Sequence, residues 1–271
     1  MRLLYHILRR ISMYKLFMLD LDGTFYLGDR LLPGAQWFLD ICKEKGVKFT
    51  FLTNNSSRGK ADYIKKLAKM GVEITENEMF SSADATLMYL DENNFSRDIL
   101  LVGTPSLEAQ FLAAGYNINA AQPKAAVLGF DTTITYEKLT RLCDAVRAGL
   151  PYIATHPDLN CPVEGGFIPD IGAVIAFVKT STGREPDAII GKPNGYIAKA
   201  AAARFGCALE ETCMVGDRLY TDIALGKCGC GAALVLCGET SLAEYEAQNI
   251  VKADIVCADL FELGTKVLHG G

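Results

Sequence analysis

The chain has 271 residues, 50% of them hydrophobic and 22% charged, the balance of a soluble globular protein rather than a disordered or fibrous one. Its net charge of -5 argues against nucleic acid or an anionic membrane as the main partner. The longest apolar stretch, 171–178, falls far short of the roughly 20 residues that span a bilayer. Nine cysteines, an odd number set mostly in apolar or helical contexts, predict thiols in a cytoplasmic protein rather than a disulfide scaffold.

Residues 1–12 carry Arg2, Arg9 and Arg10 around a short apolar set interrupted by His6. No small-residue cleavage site follows, so they read as an N-terminal extension without assigned function rather than a signal peptide. Residues 15–20, K-L-F-M-L-D, form the continuous apolar run of a strand buried on both faces of a parallel sheet. A helix is predicted over 33–45, with Pro33 at its first position and Gly46 as its stop. A strand at 47–53 and a helix at 57–70, stopped by Gly71, follow. Strands at 99–102, 126–130 and 152–155 then alternate with helices at 106–114, 136–149 and 171–182. That stretch is too long for a loop and large enough for a core of its own. The rhythm resumes with a strand at 187–191 and a helix at 196–205, a strand at 212–216 and a helix at 221–227, and strands at 232–236 and 254–257. The alternation predicts an α/β fold, a doubly wound parallel sheet with a second α/β domain inserted in it. The expected divisions are 1–82, 83–184 and 185–271, the middle segment being the insert.

Four strand ends carry chemistry. Asp20-Leu21-Asp22-Gly23-Thr24 closes the first strand and sets two carboxylates at the carboxyl edge of a parallel sheet, where open α/β folds bind ligands. Gly23 permits a sharp exit, and Thr24 can bond the turn or a ligand. Thr53-Asn54-Asn55-Ser56-Ser57 ends the second strand with hydroxyl and amide donors before a helix, a setting that suits an anion, although an extended N-cap has the same composition. Gly191-Lys192-Pro193-Asn194 holds a lysine between an apolar strand and a proline, at the same predicted sheet edge. Gly216-Asp217-Arg218-Leu219-Tyr220-Thr221-Asp222 adds Asp217 at a strand end and Asp222 in the first turn of the next helix. Four carboxylates on one edge repel one another unless a cation sits among them, and an oxygen donor set favours a hard ion such as Mg²⁺ over zinc. Lys192 and Thr53 complete a cradle for a phosphoryl group beside a carboxylate nucleophile.

These elements resemble the four motifs of the haloacid dehalogenase superfamily of phosphatases, over essentially the whole chain from Met13 onward. The T-N-N-S-S-R stretch at 53–58, the G-D-R-x-x-T-D form at 216–222 and the insert between the second and third motifs resemble its NagD or 4-nitrophenylphosphatase branch, with a C2-type cap. The resemblance implies a Mg²⁺-dependent hydrolase of small phosphorylated metabolites. Asp20 would be the nucleophile that becomes an aspartyl phosphate. Asp22 would be the general acid and then the base. Thr53 and Lys192 would hold phosphoryl oxygens, with Gly23 and Asn54 in supporting places. Asp20, Asp217 and the main-chain carbonyl of Asp22 would ligate the metal, and Asp222 would orient Lys192 or a metal-bound water. Sugar phosphates, nucleotides, glycerol phosphates, pyridoxal phosphate and 4-nitrophenyl phosphate-type monoesters all fit, and a homodimer through the cap is compatible with such an architecture.

Substrate choice is expected from the insert. Thr155-His156-Pro157-Asp158 follows one of its strands, and Glu164-Gly165-Gly166 leads through Pro169 to a helix near Ile171. His156, Asp158 and Asn160 are the candidate substrate contacts, and Asp170 stands where many relatives have a glycine. Cys228-Gly229-Cys230 lacks zinc spacing. Neither a G-x-x-x-x-G-K-[ST] loop nor a dinucleotide fingerprint occurs. Two alternatives share the motif chemistry: phosphoryl transfer to an acceptor other than water, as in a mutase, and a non-enzymatic receiver-like phosphate sensor. Asp22 argues against the sensor, because an acid–base group beside the phosphoaspartate promotes its hydrolysis.

Overall fold

The computed structural model describes residues 14–163 and 165–268; the predicted extension at 1–12 and Glu164 lie outside the described residues. In chain order the strands are β1 (Leu16–Leu19), β2 (Tyr26–Leu27), β3 (Arg30–Leu31), β4 (Lys48–Thr53), β5 (Met79–Ser81), β6 (Leu100–Val102) and β7 (Ala126–Leu128). They continue with β8 (Tyr152–Ala154), β9 (Asn160–Val163), β10 (Gly166–Pro169), β11 (Ala188–Ile189), β12 (Thr212–Gly216), β13 (Gly231–Val235) and β14 (Ile255–Cys257). The helices are α1 (Ala35–Lys45), α2 (Lys60–Lys69), α3 (Ser82–Glu92), α4 (Pro105–Ala113), α5 (Tyr136–Arg147), α6 (Ile171–Thr182), α7 (Tyr196–Arg204), α8 (Leu242–Ala247) and α9 (Leu260–Val267). The chain divides into two compact units. Among the described residues, one takes 14–53, Ile64–Phe80 and 192–268; the other takes Asn54–Tyr63 and those of Ser81–Gly191.

The first unit is built on a six-stranded sheet of order β14-β13-β12-β1-β4-β5. β1 pairs in parallel with both β4 and β12, and β12 with β13. All four residues of β1 are fully buried, as its unbroken apolar run requires of a central parallel strand, and each such side chain contributes roughly 2 kcal/mol of burial. Phe17 meets Phe38 of α1 edge to face at 5.3 Å, and Phe25 meets Phe51 of β4 at 4.7 Å. From β1 the strand order runs one way through β4 and the other way through β12. This reversal opens a crevice beyond the carboxyl ends of the strands, the place where such sheets take ligands.

The second unit has a four-stranded parallel sheet of order β11-β8-β7-β6 and an antiparallel hairpin of β9 and β10. Its core gathers Val102, Leu128, Leu142, Val146, Tyr152 and Val178. The fold is therefore α/β with a second α/β unit inserted, as the alternation predicts. Among the described residues no helix is long and apolar enough to cross a membrane.

Several local expectations change. The strand expected to resume the main sheet at 187–191 is β11, which pairs with β8 in the inserted unit's sheet; the first unit resumes at Lys192. A two-residue, half-buried strand announces itself by its apolar run, but nothing in that run names its partner. The first predicted helix begins at Ala35 with Gly34 as its cap rather than at Pro33. The helix expected from residue 57 starts at Lys60, and the one at 221–227 is a 3-10 helix, Ile223–Cys228.

Candidate active site

In the first unit Asp20 and Asp217 directly follow β1 and β12, and Thr53 closes β4, at the carboxyl ends of three adjacent strands. In β1, Leu19 pairs with Val215 of β12 and with Phe51 of β4. Asp20 extends the ladder by one bond, its N–H donating to Val215 O at 2.9 Å. Asp20, Thr53 and Asp217 are all buried.

Lys192 enters from the segment after β11 and is 3% exposed. Its ammonium donates to Asp20 Oδ1 at 2.5 Å, to Asp222 Oδ1 at 2.7 Å and to Leu52 O at 3.2 Å. Burial alone would lower the pKa of this lysine, but Asp20 and Asp222 more than reverse that effect and keep it cationic. Asp222 is wholly buried, and its other oxygen accepts the Arg218 N–H at 3.1 Å. Both its oxygens are thus engaged, one of them by Lys192. Burial raises the Asp222 pKa, with Lys192 opposing.

Asp217 lies in a notch walled by glycines. Thr24 Oγ1 donates to its Oδ1 at 3.0 Å, and the Glu239 N–H donates to its Oδ2 at 2.7 Å. Gly23 has φ 84°, a conformation that side chains resist. A Cβ at Gly23 or at Gly238 would collide with the Asp217 carboxylate. Burial, reinforced by the charge of Asp20, pushes the Asp217 carboxyl up to about 6. Carboxylate oxygens of Asp20, Asp217 and Asp222 lie within 4.8 Å of one another. Lys192 and Arg218 offset part of this charge; Arg218 Nε lies 3.0 Å from Glu239 Oε2 without hydrogen-bond alignment. The remaining excess of negative charge, presented by oxygen donors alone, fits a hard divalent cation.

Asp22 lies two residues beyond Asp20, and its side chain reaches solvent. The Tyr26 hydroxyl donates to Asp22 Oδ2 at 3.4 Å. Surrounding protein atoms raise the Asp22 pKa; Lys66 pulls against that rise and Asp20 adds to it.

In the second unit the stretch at 54–57 is spent on internal bonds. Asn54 Nδ2 donates to both oxygens of Asp158 at 3.1 Å. Ser56 Oγ lies 3.1 Å from Thr155 Oγ1 and accepts the Phe130 N–H at 2.9 Å, and Thr104 Oγ1 donates to Ser57 O. Asn54 therefore supports Asp158. His156 is fully buried, with Nδ1 3.0 Å from Thr155 Oγ1 and Nε2 3.0 Å from Asp170 Oδ1. Both ring nitrogens of His156 thus have partners within this unit. Asp170 also caps α6, accepting the Ile171 N–H at 2.6 Å. An aspartate directly before a predicted helix is the signal that could have found this role. Asp158 is partly exposed and Asn160 exposed. Gly238 was not singled out in the sequence; a glycine just beyond a strand is too common to mark a site.

Residues 17–117 match the haloacid dehalogenase-like hydrolase family, and residues 189–263 match a HAD-hydrolase-like model. The chain is 34% identical over 242 residues to an acid sugar phosphatase of Staphylococcus aureus, covering 89% of this chain and 93% of that protein. Among solved structures it is similar to the 4-nitrophenylphosphatase of Thermotoga maritima, with 45% identity, TM-score 0.90 and coverage of 94% and 98% of the two chains. It is also similar to NagD of E. coli K-12, with 29% identity, TM-score 0.85 and coverage of 92% and 98%.

Proposed function

This chain belongs to the haloacid dehalogenase-like hydrolases, in the branch of NagD and the 4-nitrophenylphosphatases, and from that premise we propose that it hydrolyses small phosphorylated metabolites through an aspartyl phosphate on Asp20. Phosphatase is the activity named for its relatives. The single observation that carries the reading is Lys192, buried and bonded to Asp20 and Asp222 at once, beside the glycine-walled Asp217.

In this reading the Lys192 ammonium offsets the charge of Asp20, so that a phosphate monoester can approach its free oxygen. That oxygen attacks phosphorus as the bond to the leaving oxygen breaks. Asp22, reaching solvent, gives its proton to the leaving oxygen and the alcohol departs. The Asp22 carboxylate then takes a proton from water, the water oxygen bonds to phosphorus, and the bond to Asp20 breaks. The raised pKa of Asp22 suits a group that must be acid first and base second. Thr53 would hold a phosphoryl oxygen, and Asp222 would keep Lys192 in place.

Asp20, Asp217 and the main-chain carbonyl of Asp22 would hold Mg²⁺. When bound, that ion would neutralise charge developing on the phosphoryl oxygens. We further propose that the inserted unit selects the substrate, with Asp158 and Asn160 as contact residues, and that sugar phosphates are the leading class, since the acid sugar phosphatase is a relative. The nine-cysteine composition supports a reducing, cytoplasmic setting.

The test is phosphate release from a panel of sugar phosphates, nucleotides, glycerol phosphates, pyridoxal phosphate and 4-nitrophenyl phosphate, with and without Mg²⁺. Release that requires Mg²⁺ and ranks a sugar phosphate first is the expected result. Release unaffected by chelation, or from no compound in the panel, would overturn the reading.

A further inference from the structure

Asp22 must present its proton to a leaving oxygen and later remove one from water, and an exposed carboxylate on a turn rotates freely unless something holds it. One side chain of the first unit reaches it, and a second packs on the first. Tyr26 is buried, 1% exposed, and its hydroxyl faces Asp22 Oδ2 at 3.4 Å. Lys66, in the last turn of α2 beside the fully buried Leu67, holds its ammonium 3.8 Å from the centroid of the Tyr26 ring. The lysine is thus seated on the ring whose hydroxyl meets the carboxyl, a cation–π contact that braces both side chains.

We propose that Tyr26 and Lys66 are positioning residues for Asp22, fixing the direction of its carboxyl for proton transfer in both halves of the reaction. The inference rests on the acid–base role of Asp22 given above. Tyr26 donates to one oxygen and leaves the other directed at the leaving group or at water. Lys66 holds the tyrosine ring in place through the cation–π contact.

The two halves give separate readouts. Specificity expressed as kcat/KM covers the steps up to departure of the alcohol. A 4-nitrophenolate leaves without needing a proton, whereas a sugar or glycerol alkoxide needs one. Misplacing the acid therefore raises the ratio of kcat/KM for 4-nitrophenyl phosphate to that for glycerol phosphate. The variants are Tyr26→Phe and Lys66→Met, which keep the ring and the stem; Lys66→Arg, which can restack on the ring; and Asp22→Asn as the benchmark.

A rise in the ratio of roughly ten-fold or more in Tyr26→Phe and Lys66→Met, in the direction set by Asp22→Asn and largely reversed in Lys66→Arg, is the expected result. It should be accompanied by a burst of 4-nitrophenolate, because the base half is slowed as well. A purely structural role would lower both substrates together and leave the ratio unchanged; that result, with Asp22→Asn still shifting the ratio, would overturn the positioning role alone. An Asp22→Asn enzyme whose ratio does not move would overturn the acid–base role of Asp22, and the positioning proposal with it.

Discussion

Lys192 Nζ lies 2.5 Å from Asp20 Oδ1, although 172 residues separate the two in the chain. The same ammonium reaches Asp222 at 2.7 Å. Removing it leaves two buried carboxylates facing one another without their counter-charge. Lys192→Met should abolish phosphate release and destabilise the protein by about 3–5 kcal/mol. Lys192→Arg should not restore activity, since a planar guanidinium cannot replace a compact ammonium among three close acceptors. Denaturant titration and phosphate release measure the two effects; an Arg variant with wild-type turnover would contradict the assignment.

Asp217 predicts a pH effect with a definite sign. Its folded pKa of about 6 lies above the ordinary 3.8, so the folded state binds more protons than the unfolded state between those values. Stability of the metal-free protein should therefore fall as pH rises through that window, and the loss is complete above it. The shift corresponds to about 3 kcal/mol at most. Metal-free Asp217→Asn should be more stable than wild type at pH 7.5 and lose that advantage near pH 4. Thermal melts at the two pH values decide it; equal differences at both would contradict the account.

Gly238 should matter through the space it leaves. A Cβ there meets the Asp217 carboxylate and the Gly23 main-chain oxygen, so Gly238→Ala should displace the carboxylate proposed to hold Mg²⁺ together with the turn after Asp22. The expected outcome is a rise of roughly ten-fold or more in the Mg²⁺ concentration for half-maximal activity, on the scale seen when groups supporting a metal ligand are altered. A Mg²⁺ titration of the variant at saturating substrate is the check.

His156 should behave as a structural residue of the inserted unit. It bridges Thr155 and Asp170 in a fully buried site. His156→Ala should lower stability by about 2–3 kcal/mol, the loss expected when buried partners are left unsatisfied. The ranking of substrates by kcat/KM should stay that of the wild type. A reordered ranking in a variant of undiminished stability would place His156 among the substrate contacts.

How much of this was legible in the sequence depends on whether a property is local. The buried run before Asp20 and the polar residues closing successive strands are local patterns, so the six-stranded sheet's central strands and the positions of Asp20, Thr53, Asp217 and Asp222 could be read directly. Lys192 was legible as a lysine at a strand end, but the strand before it, β11, belongs to the other sheet; periodicity reveals a strand and not its neighbour. The pairing of His156 with Asp170 and that of Asn54 with Asp158 join residues 14 and 104 positions apart, and nothing in either segment announces the other. Tyr26 and Lys66 were invisible for the same reason, since a surface lysine on a helix is the commonest of sights. Gly238 owes its importance to the absence of a side chain, which only the packed structure can reveal.

Whether Asp20 carries the phosphoryl group is decided by rapid mixing with substrate, acid quench and mass analysis of the peptide containing Asp20. A transient gain of one phosphoryl group on Asp20 is expected, formed before phosphate is released and decaying as release proceeds, with neither adduct nor turnover in a folded Asp20→Asn protein. Phosphate release with no adduct at any quench time, or an Asp20→Asn protein that turns over at the wild-type rate, would contradict it.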